Sequence, residues 1–298
     1  MAGEIGWELY RTFLGVLREG SLSGAARALG ITQPTAGRHV AALERSLGLA
    51  LFTRSPSGLL PTEAALALRE HAETMHSTAA ALRRVAESQG AGVKGTVRIS
   101  ASEVVGVEVL PPIVAALRQA HPELKVELVL SNRIQDLLRQ EADIAVRMTQ
   151  PKQDVLLARR VGDVVVGLHA RRDYLERHGT PKSVADLAAH TLIGYDQETA
   201  FLRAARKRLP VLARAVFALR SDSDLGQLAL LRAGCGIGLC QVGVAKRDPA
   251  LVRLLPRQVA FKLDTWVTMH GDLRNSPRCR VTFDALGEGL RRYMEAAS

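Results

Sequence analysis

The sequence predicts an α/β protein overall, in two parts. A small N-terminal winged helix-turn-helix with a long linker helix precedes a two-lobed α/β domain. Three observations predict it. Residues 21–47 read as two short helices around a tight turn. Residues 63–89 run without Pro or Gly. Beyond residue 95, strand-like and helix-like segments alternate, the order that builds a mostly parallel sheet covered by helices.

Trp7 to Arg18 forms an amphipathic helix, with Trp7, Tyr10, Phe13, Leu14 and Leu17 on one stripe. Ser21 caps the next helix, because its hydroxyl accepts an otherwise unpaired N–H of the first turn. Gly30 ends it, since glycine takes the left-handed conformation of a C-terminal cap at little cost. Thr32 caps the following helix, and Pro34 sits in its first turn, where a missing N–H does no harm. Ala36, Val40, Leu43 and Leu47 then face inward. Gln33, Thr35, Arg38 and His39 are left facing out. This layout suits a second helix that enters a DNA major groove, although an ordinary helical hairpin in a core shares it.

Leu51 to Arg54, the turn Ser55 to Gly58, and Leu59 to Pro61 read as a small hairpin, or wing. The long helix that follows carries Leu66, Ala67, Met75, Ala79, Leu82 and Val85 as an apolar stripe. It is too long to bury that stripe against so small a domain, so pairing with a second copy is expected. Lying along its own C-terminal domain is the alternative.

Gly90-Ala91-Gly92 marks the domain boundary. Strands are expected at Thr96–Ser100, Lys125–Leu130 and Asp143–Met148, with helices at Val107–Gln119 and Ile134–Arg139. After a crossing at Leu156–Val161, a second set begins with a strand at Val164–His169. It continues with a helix near Ser183–Leu187, strands Thr191–Tyr195 and Arg214–Leu219, helix Asp224–Ala233 and strand Ile237–Gln241. Thr265–His270 returns as a strand, and Val281–Met294 closes as a helix. Two such halves resemble a periplasmic-binding-protein-like ligand domain, with the ligand in the cleft outside the strand C-termini. The predicted divisions are 1–61, 62–90 and 91–298. The last comprises lobe I, about 93–160 and 268–298, and lobe II, about 161–267.

Composition narrows the function. No apolar run approaches the ~20 residues needed to span a bilayer, so a soluble, cytoplasmic protein is expected. The net charge is +10. Residues 1–90 hold nine Lys/Arg against eight Asp/Glu, and residues 91–298 hold 31 against 22. Residues 11–58 nevertheless carry six arginines against Glu19 and Glu44, enough for phosphate contacts. The excess on the C-terminal part suggests a small anionic ligand. Cys235, Cys240 and Cys279 fit neither a disulfide framework nor a zinc pattern, and read as buried thiols. There is no GxSxG, no HExxH and no clustering of the eight histidines, so neither an enzyme nor a cofactor or metal protein is expected. Gly234-x-Gly236-x-Gly238 opens a strand after a helix, the wrong order for a dinucleotide fingerprint, and points to tight helix-to-strand packing.

Over essentially the whole chain the sequence resembles the LysR-type transcriptional regulators. The resemblance rests on Gly20-Ser21, Ala25-Ala26, Leu29, Gln33-Pro34, Leu43-Glu44, Leu47-Gly48, Leu51-Phe52 with Arg54, and Leu60 to Thr62. More loosely, it extends to Val97–Ile99, Leu110-Pro111, Pro122, Asp143-Ile144-Ala145 and Gly234 to Gly238. It implies dimerisation through the linker helix, often a homotetramer, and a ligand-responsive domain controlling transcription of nearby genes. Double-stranded DNA at a promoter or operator is the implied partner, and RNA polymerase is a further candidate. Four positions depart from the family. Gly37 stands for a phosphate-contacting serine, Ser57 for a basic wing residue, Ala65 for a glycine, and Cys240-Gln241 for Leu-Pro.

The DNA-contact candidates are Ser21, Thr32, Gln33, Pro34, Thr35, Arg38, His39 and Arg54. Gln33 and Arg38 have side chains that can bond base edges; Thr35, His39 and Arg54 suit phosphate. The effector candidates lie in loops after strands: Ser100, Ala101, Ser102, Glu103, Ser131, Asn132, Arg147, Tyr195, Ser221 and Asp222. The N–H groups of residues 100–103 open a helix and suit an anion, whereas Glu103 suits a cation. Arg147 reads equally as a structural ion pair, and Ser221 to Ser223 as a plain helix cap.

Overall fold

The structure, a computed structural model, describes residues 5–55, 58–87, 92–132, 142–151, 156–209 and 213–297. Contacts divide them into two compact units that part at Arg83/Arg84, within a long helix.

The N-terminal unit comprises α1 (Trp7–Glu19), α2 (Leu22–Leu29), α3 (Gln33–Leu47), the hairpin β1 (Phe52–Ser55) and β2 (Gly58–Pro61), and α4 (Glu63–Glu87). The expected caps are present. Gly24 N–H donates to Ser21 Oγ at 3.1 Å, and Thr35 N–H to Thr32 Oγ1 at 3.4 Å. Gly30 adopts φ 67°, and its N–H reaches back to the last turn of α2. Phe13, Leu14, Leu43, Leu51, Ala65 and Ala72 form the core, beside a smaller cluster of Val16, Ala25 and Val40. Removing the fully buried Phe13 ring would cost about 3–5 kcal/mol. Glu44 Oε1 accepts the N–H groups of Leu51 and Phe52, and so ties α3 to the hairpin. On α4, Ala65 and Ala72 face this core, while Leu66, Met75 and Leu82 are 49, 41 and 68 % exposed. Ala67 is exposed and Ala79 half-buried. Ser57, Gly90, Ala91 and the side chain of Val85 lie outside the described residues.

The C-terminal unit holds β3 (Gly95–Ala101), β4 (Leu124–Leu130), β5 (Ile144–Arg147), β6 (Leu156–Arg171), β7 (Leu192–Gly194), β8 (Phe217–Arg220), β9 (Ile237–Gln241), β10 (Leu251–Leu254) and β11 (Phe261–His270). Its helices are α5 (Leu110–Ala120), α6 (Arg172–His178), α7 (Ala200–Arg208), α8 (Asp224–Arg232), α9 (Val242–Ala245) and α10 (Pro277–Ala297). The strands form one sheet in the order β4-β3-β5-β11-β6-β9-β7-β8, with β10 also on β6. The expectation of a mostly parallel sheet holds only at its two ends. β4, β3 and β5 are parallel, as are β9, β7 and β8, but β11 and β6 join them as an antiparallel pair. The separate crossing and strand expected across 156–169 are one continuous strand, β6. Gly162, at φ 139°, absorbs the bend where the register with β11 shifts.

The helix expected from Val107 starts at Glu103 and passes through a wide π-turn, Val105–Val109, before α5. Pro111 and Pro112 lack the N–H groups that would close ordinary α-turns there, so the ladder opens by one residue. The expected helix Ile134–Arg139 lies outside the described residues. Gly236 explains the Gly-rich segment: a Cβ there would meet Thr191 O at 2.4 Å, so β9 approaches closely only because that position is bare.

Candidate functional sites

The first site lies on α3 and the hairpin. Gln33, Pro34 and Arg38 are exposed and Thr35 half-buried. Thr32 Oγ1 and Thr35 Oγ1 share a 2.8 Å hydrogen bond, and Arg38 Nη2 donates to Thr35 Oγ1 at 3.1 Å. This chain holds the Arg38 guanidinium along the outer face of α3. Arg54 is exposed on β1. Leu59 N–H donates to Gly20 O, which fixes the hairpin beside the α1–α2 turn. Ser21 Oγ accepts the Gly24 N–H as the cap of α2.

His39, expected to face out with Arg38, is half-buried and turned toward α1. Its Nδ1 lies 2.9 Å from Thr12 Oγ1 on α1, and Thr12 is buried. The physical reason is α1, which sequence periodicity leaves out of account. It lies beside α3 and offers a buried hydroxyl at the position where α3 carries a histidine.

The second site lies in the C-terminal unit, where the loops after β3, β4, β7 and β8 meet. Here the structure gathers Glu103, Asn132, Tyr195, Asp222, Ser223 and Asp224. Glu103 N–H donates to Asn132 Oδ1, and Asn132 Nδ2 donates to Asp224 Oδ2 at 3.0 Å. Tyr195 donates its phenol proton to Asp224 Oδ1 at 2.6 Å, and Ser223 Oγ donates to Glu103 Oε2 at 3.1 Å. Asp222 Oδ1 accepts the N–H groups of Asp196 and Gln197. Burial raises the Asp224 carboxyl above its ordinary range, and the Glu103 charge adds to this. Burial and the carboxylates of Asp224, Asp222 and Glu103 push the Tyr195 phenol up, so it remains a donor. Ser221 and Ser223 serve the start of α8: Ser223 Oγ accepts Gly226 N–H, and Ser221 Oγ accepts Ser223 N–H.

Arg147 and Ser100 sit together, both buried, with Nη2 donating to Oγ at 2.6 Å and Nη1 to Val146 O. Ala101 is buried in β3, and Ser131 N–H pairs with Ala101 O. Ser102 is half-buried just before the helix. Among the described residues the cluster that joins these loops is acidic, while the nearby cation Arg147 is held by Ser100. Glu103, Asp222 and Asp224 carry the cluster's charge, with the Arg214–Asp196 ion pair beside Asp222. Asp224 itself was missed, because an acid in a helix's first turn reads as ordinary dipole chemistry.

Sequence reasoning also missed a tie 124 residues apart in the chain. Arg232 of α8 donates from Nη1 and Nη2 to both carboxylate oxygens of Glu108, at 2.7 and 2.9 Å. The Arg232 hydrogen bonds hold the Glu108 carboxyl below its ordinary range. Arg247 donates to the Glu108 carbonyl. Burial pushes the Cys240 thiol up to about 12, which fits an inert structural thiol. Among the described residues no His/Cys/Asp/Glu group could hold a metal ion, and no helix is long and apolar enough to cross a membrane.

Residues 7–66 match the family described as "Bacterial regulatory helix-turn-helix protein, lysR family", and residues 90–291 match the "LysR substrate binding domain". The probable HTH-type transcriptional regulator LtrA of Klebsiella pneumoniae is 27% identical over 284 residues, 93% of this chain and 92% of that one. The solved structure of CrgA, a LysR-type transcriptional regulator from Neisseria meningitidis, is similar at TM-score 0.59 and 25% identity, covering 95% of this chain and 98% of that one. The full-length structure of the Vibrio cholerae virulence activator AphB shares the fold at TM-score 0.61 and 23% identity, covering 94% and 98%.

Proposed function

The chain belongs to the LysR family of bacterial transcriptional regulators, and from that premise we propose that α3 reads an operator through Gln33 and Arg38. It is a transcription regulator with a DNA-binding helix-turn-helix and an effector-binding domain, and not an enzyme. Members of the family bind DNA and small effectors and oligomerise. The observation that carries the reading is the outer row of α3, where Thr32, Thr35 and Arg38 are linked by hydrogen bonds and Gln33 is free toward solvent. Arg54 on the hairpin supplies a phosphate contact beside it. His39 supports the fold of the reader rather than the contact.

Residues 1–61 act as the DNA reader, 62–90 as the dimerisation helix and 91–298 as the effector domain, in this reading. The exposed Leu66, Met75 and Leu82 on α4 support a homodimer through that helix, and two dimers would make the tetramer. The effector occupies the cleft lined by Glu103, Asn132, Tyr195 and Asp224. Two carboxylates there favour an effector that presents hydroxyl or ammonium donors to them.

Gel-shift titration with the DNA upstream of the protein's own gene tests this. Arg38→Ala lowers affinity by about 1–3 kcal/mol and relaxes sequence preference. Unchanged affinity and preference would sink the assignment.

A further inference from the structure

Away from the cleft, α5 and α10 cross so closely that a Cβ on Gly289 would meet the Ile113 side chain at 2.6 Å. Beside the crossing they leave a groove of about 480 Å³. Its floor is apolar: Val109 and Leu117 are buried, and Ile113, Val281 and Ala285 half-buried. Its rim carries the charged Arg247 and Arg292 against Glu288, with His121 beside them. Arg247 is laid over the Tyr293 ring at 5.2 Å, and Tyr293 is itself fixed by donating its phenol proton to Gln241 Oε1. Arg292 is exposed and makes no ion pair among the described residues. Apolar floor, few fixed polar groups and this volume are the marks of a small-molecule site.

We infer that this groove is a second ligand site, for an amphipathic monocarboxylate whose hydrocarbon lies on Val109, Ile113 and Ala285 and whose carboxylate meets Arg292 and Arg247. The cationic rim selects the negative head, and Glu288 repels a second negative charge. The groove is also placed to act on the cleft. The helical segment that begins at Glu103 ends along it, and Arg247 holds the carbonyl of Glu108, whose carboxylate holds Arg232 of α8. A carboxylate drawn to Arg247 competes with that carbonyl and loosens the tie. Binding in the groove does not depend on the operator reading; only its effect on DNA does.

The test is calorimetry on the full-length protein with octanoate, octanol and octylammonium. Octanoate binds at one site per chain that Ala285→Trp closes, and at that site the neutral and cationic probes bind roughly tenfold more weakly or not at all, the factor carried by a charge-assisted hydrogen bond. Arg292→Gln weakens octanoate by a similar factor. Arg291→Gln, on the same helix outside the groove, leaves it unchanged. Ala285→Trp, which fills the groove, abolishes binding. Circular dichroism and a thermal melt establish that each variant is folded. Failure of octanoate to bind, octanol binding equally at the site Ala285→Trp closes, or octanoate binding indifferent to both Arg292→Gln and Ala285→Trp overturns the proposal. So does a change of oligomeric state in these variants without octanoate binding, which would assign the groove to a second copy of the chain. Operator affinity, read separately by gel shift, tells failure of this site from failure of the DNA-binding reading.

Discussion

Thr12 Oγ1 and His39 Nδ1 lie 2.9 Å apart, joining α1 to the helix proposed to read DNA. A half-buried hydrogen bond of this kind contributes about 0.5–1.5 kcal/mol net. In a double-mutant cycle, Thr12→Val and His39→Ala therefore couple by about that amount in urea unfolding. The salt dependence of operator binding stays the same, because no phosphate contact is lost. A shallower salt slope in His39→Ala would return His39 to the DNA interface.

Gly37 needs no bare backbone. A Cβ there would meet only Leu22 Cδ1, at 3.7 Å, which is ordinary contact. Gly37→Ser removes the flexibility that glycine brings to a helix interior and stabilises the N-terminal unit by about 0.5 kcal/mol. It also restores a hydroxyl at the position where the family carries a phosphate-contacting serine. The expected outcome is operator affinity raised about two- to tenfold, measured by fluorescence anisotropy. A loss of affinity would show that the reader docks too closely for a side chain at that position.

Leu66, Met75 and Leu82 of the α4 stripe are exposed, Leu82 most of all at 68 %. Leu82→Glu sets a carboxylate on that stripe. If the helix pairs with its copy, the dimer weakens by several kcal/mol, since a charge must then be buried unpaired. Sedimentation should show monomer at micromolar concentration, with the fold retained by circular dichroism. An unchanged dimer would assign the stripe to another neighbour.

His169 is buried on β6 with Nδ1 3.0 Å from Gly167 O. Burial, with the Arg253 charge beside it, lowers its pKa from 6.5 to about 4. The folded state thus holds a neutral ring that the unfolded chain would protonate more readily. This preference is neutral in effect above pH 6.5. It costs stability progressively as pH falls from 6.5 toward 4, by a total on the order of 3 kcal/mol. Thermal melts should show that acid limb in the wild type and a flatter one in His169→Gln. Parallel limbs would mean that other groups carry the acid sensitivity.

The reader was legible in the sequence almost residue by residue. Caps at Ser21, Gly30 and Thr32 and the inward row Ala36, Val40 and Leu43 are local facts, set by three or four neighbouring residues and a 3.6-residue period. Several strands of the C-terminal part, such as β3, β4, β5 and β9, were legible for the same reason, whereas the strand expected from Arg214 begins only at Phe217, after a short 3-10 turn, and β10 was not foreseen.

What only the tertiary structure decided were relations between distant segments. Whether α3 turns His39 out or into Thr12 depends on the angle at which α1 crosses it, which neither helix encodes alone. Whether β6 is one strand or two depends on β11, whose hydrogen bonds carry it through Gly162. The cleft's acidity depends on Glu103 and Asp224 meeting from loops 121 residues apart, although the chain around them is basic. Local propensity has no term for such meetings. In the C-terminal unit they come from packing the two ends of one sheet around a shared antiparallel pair, and in the N-terminal unit from packing α1 against α3.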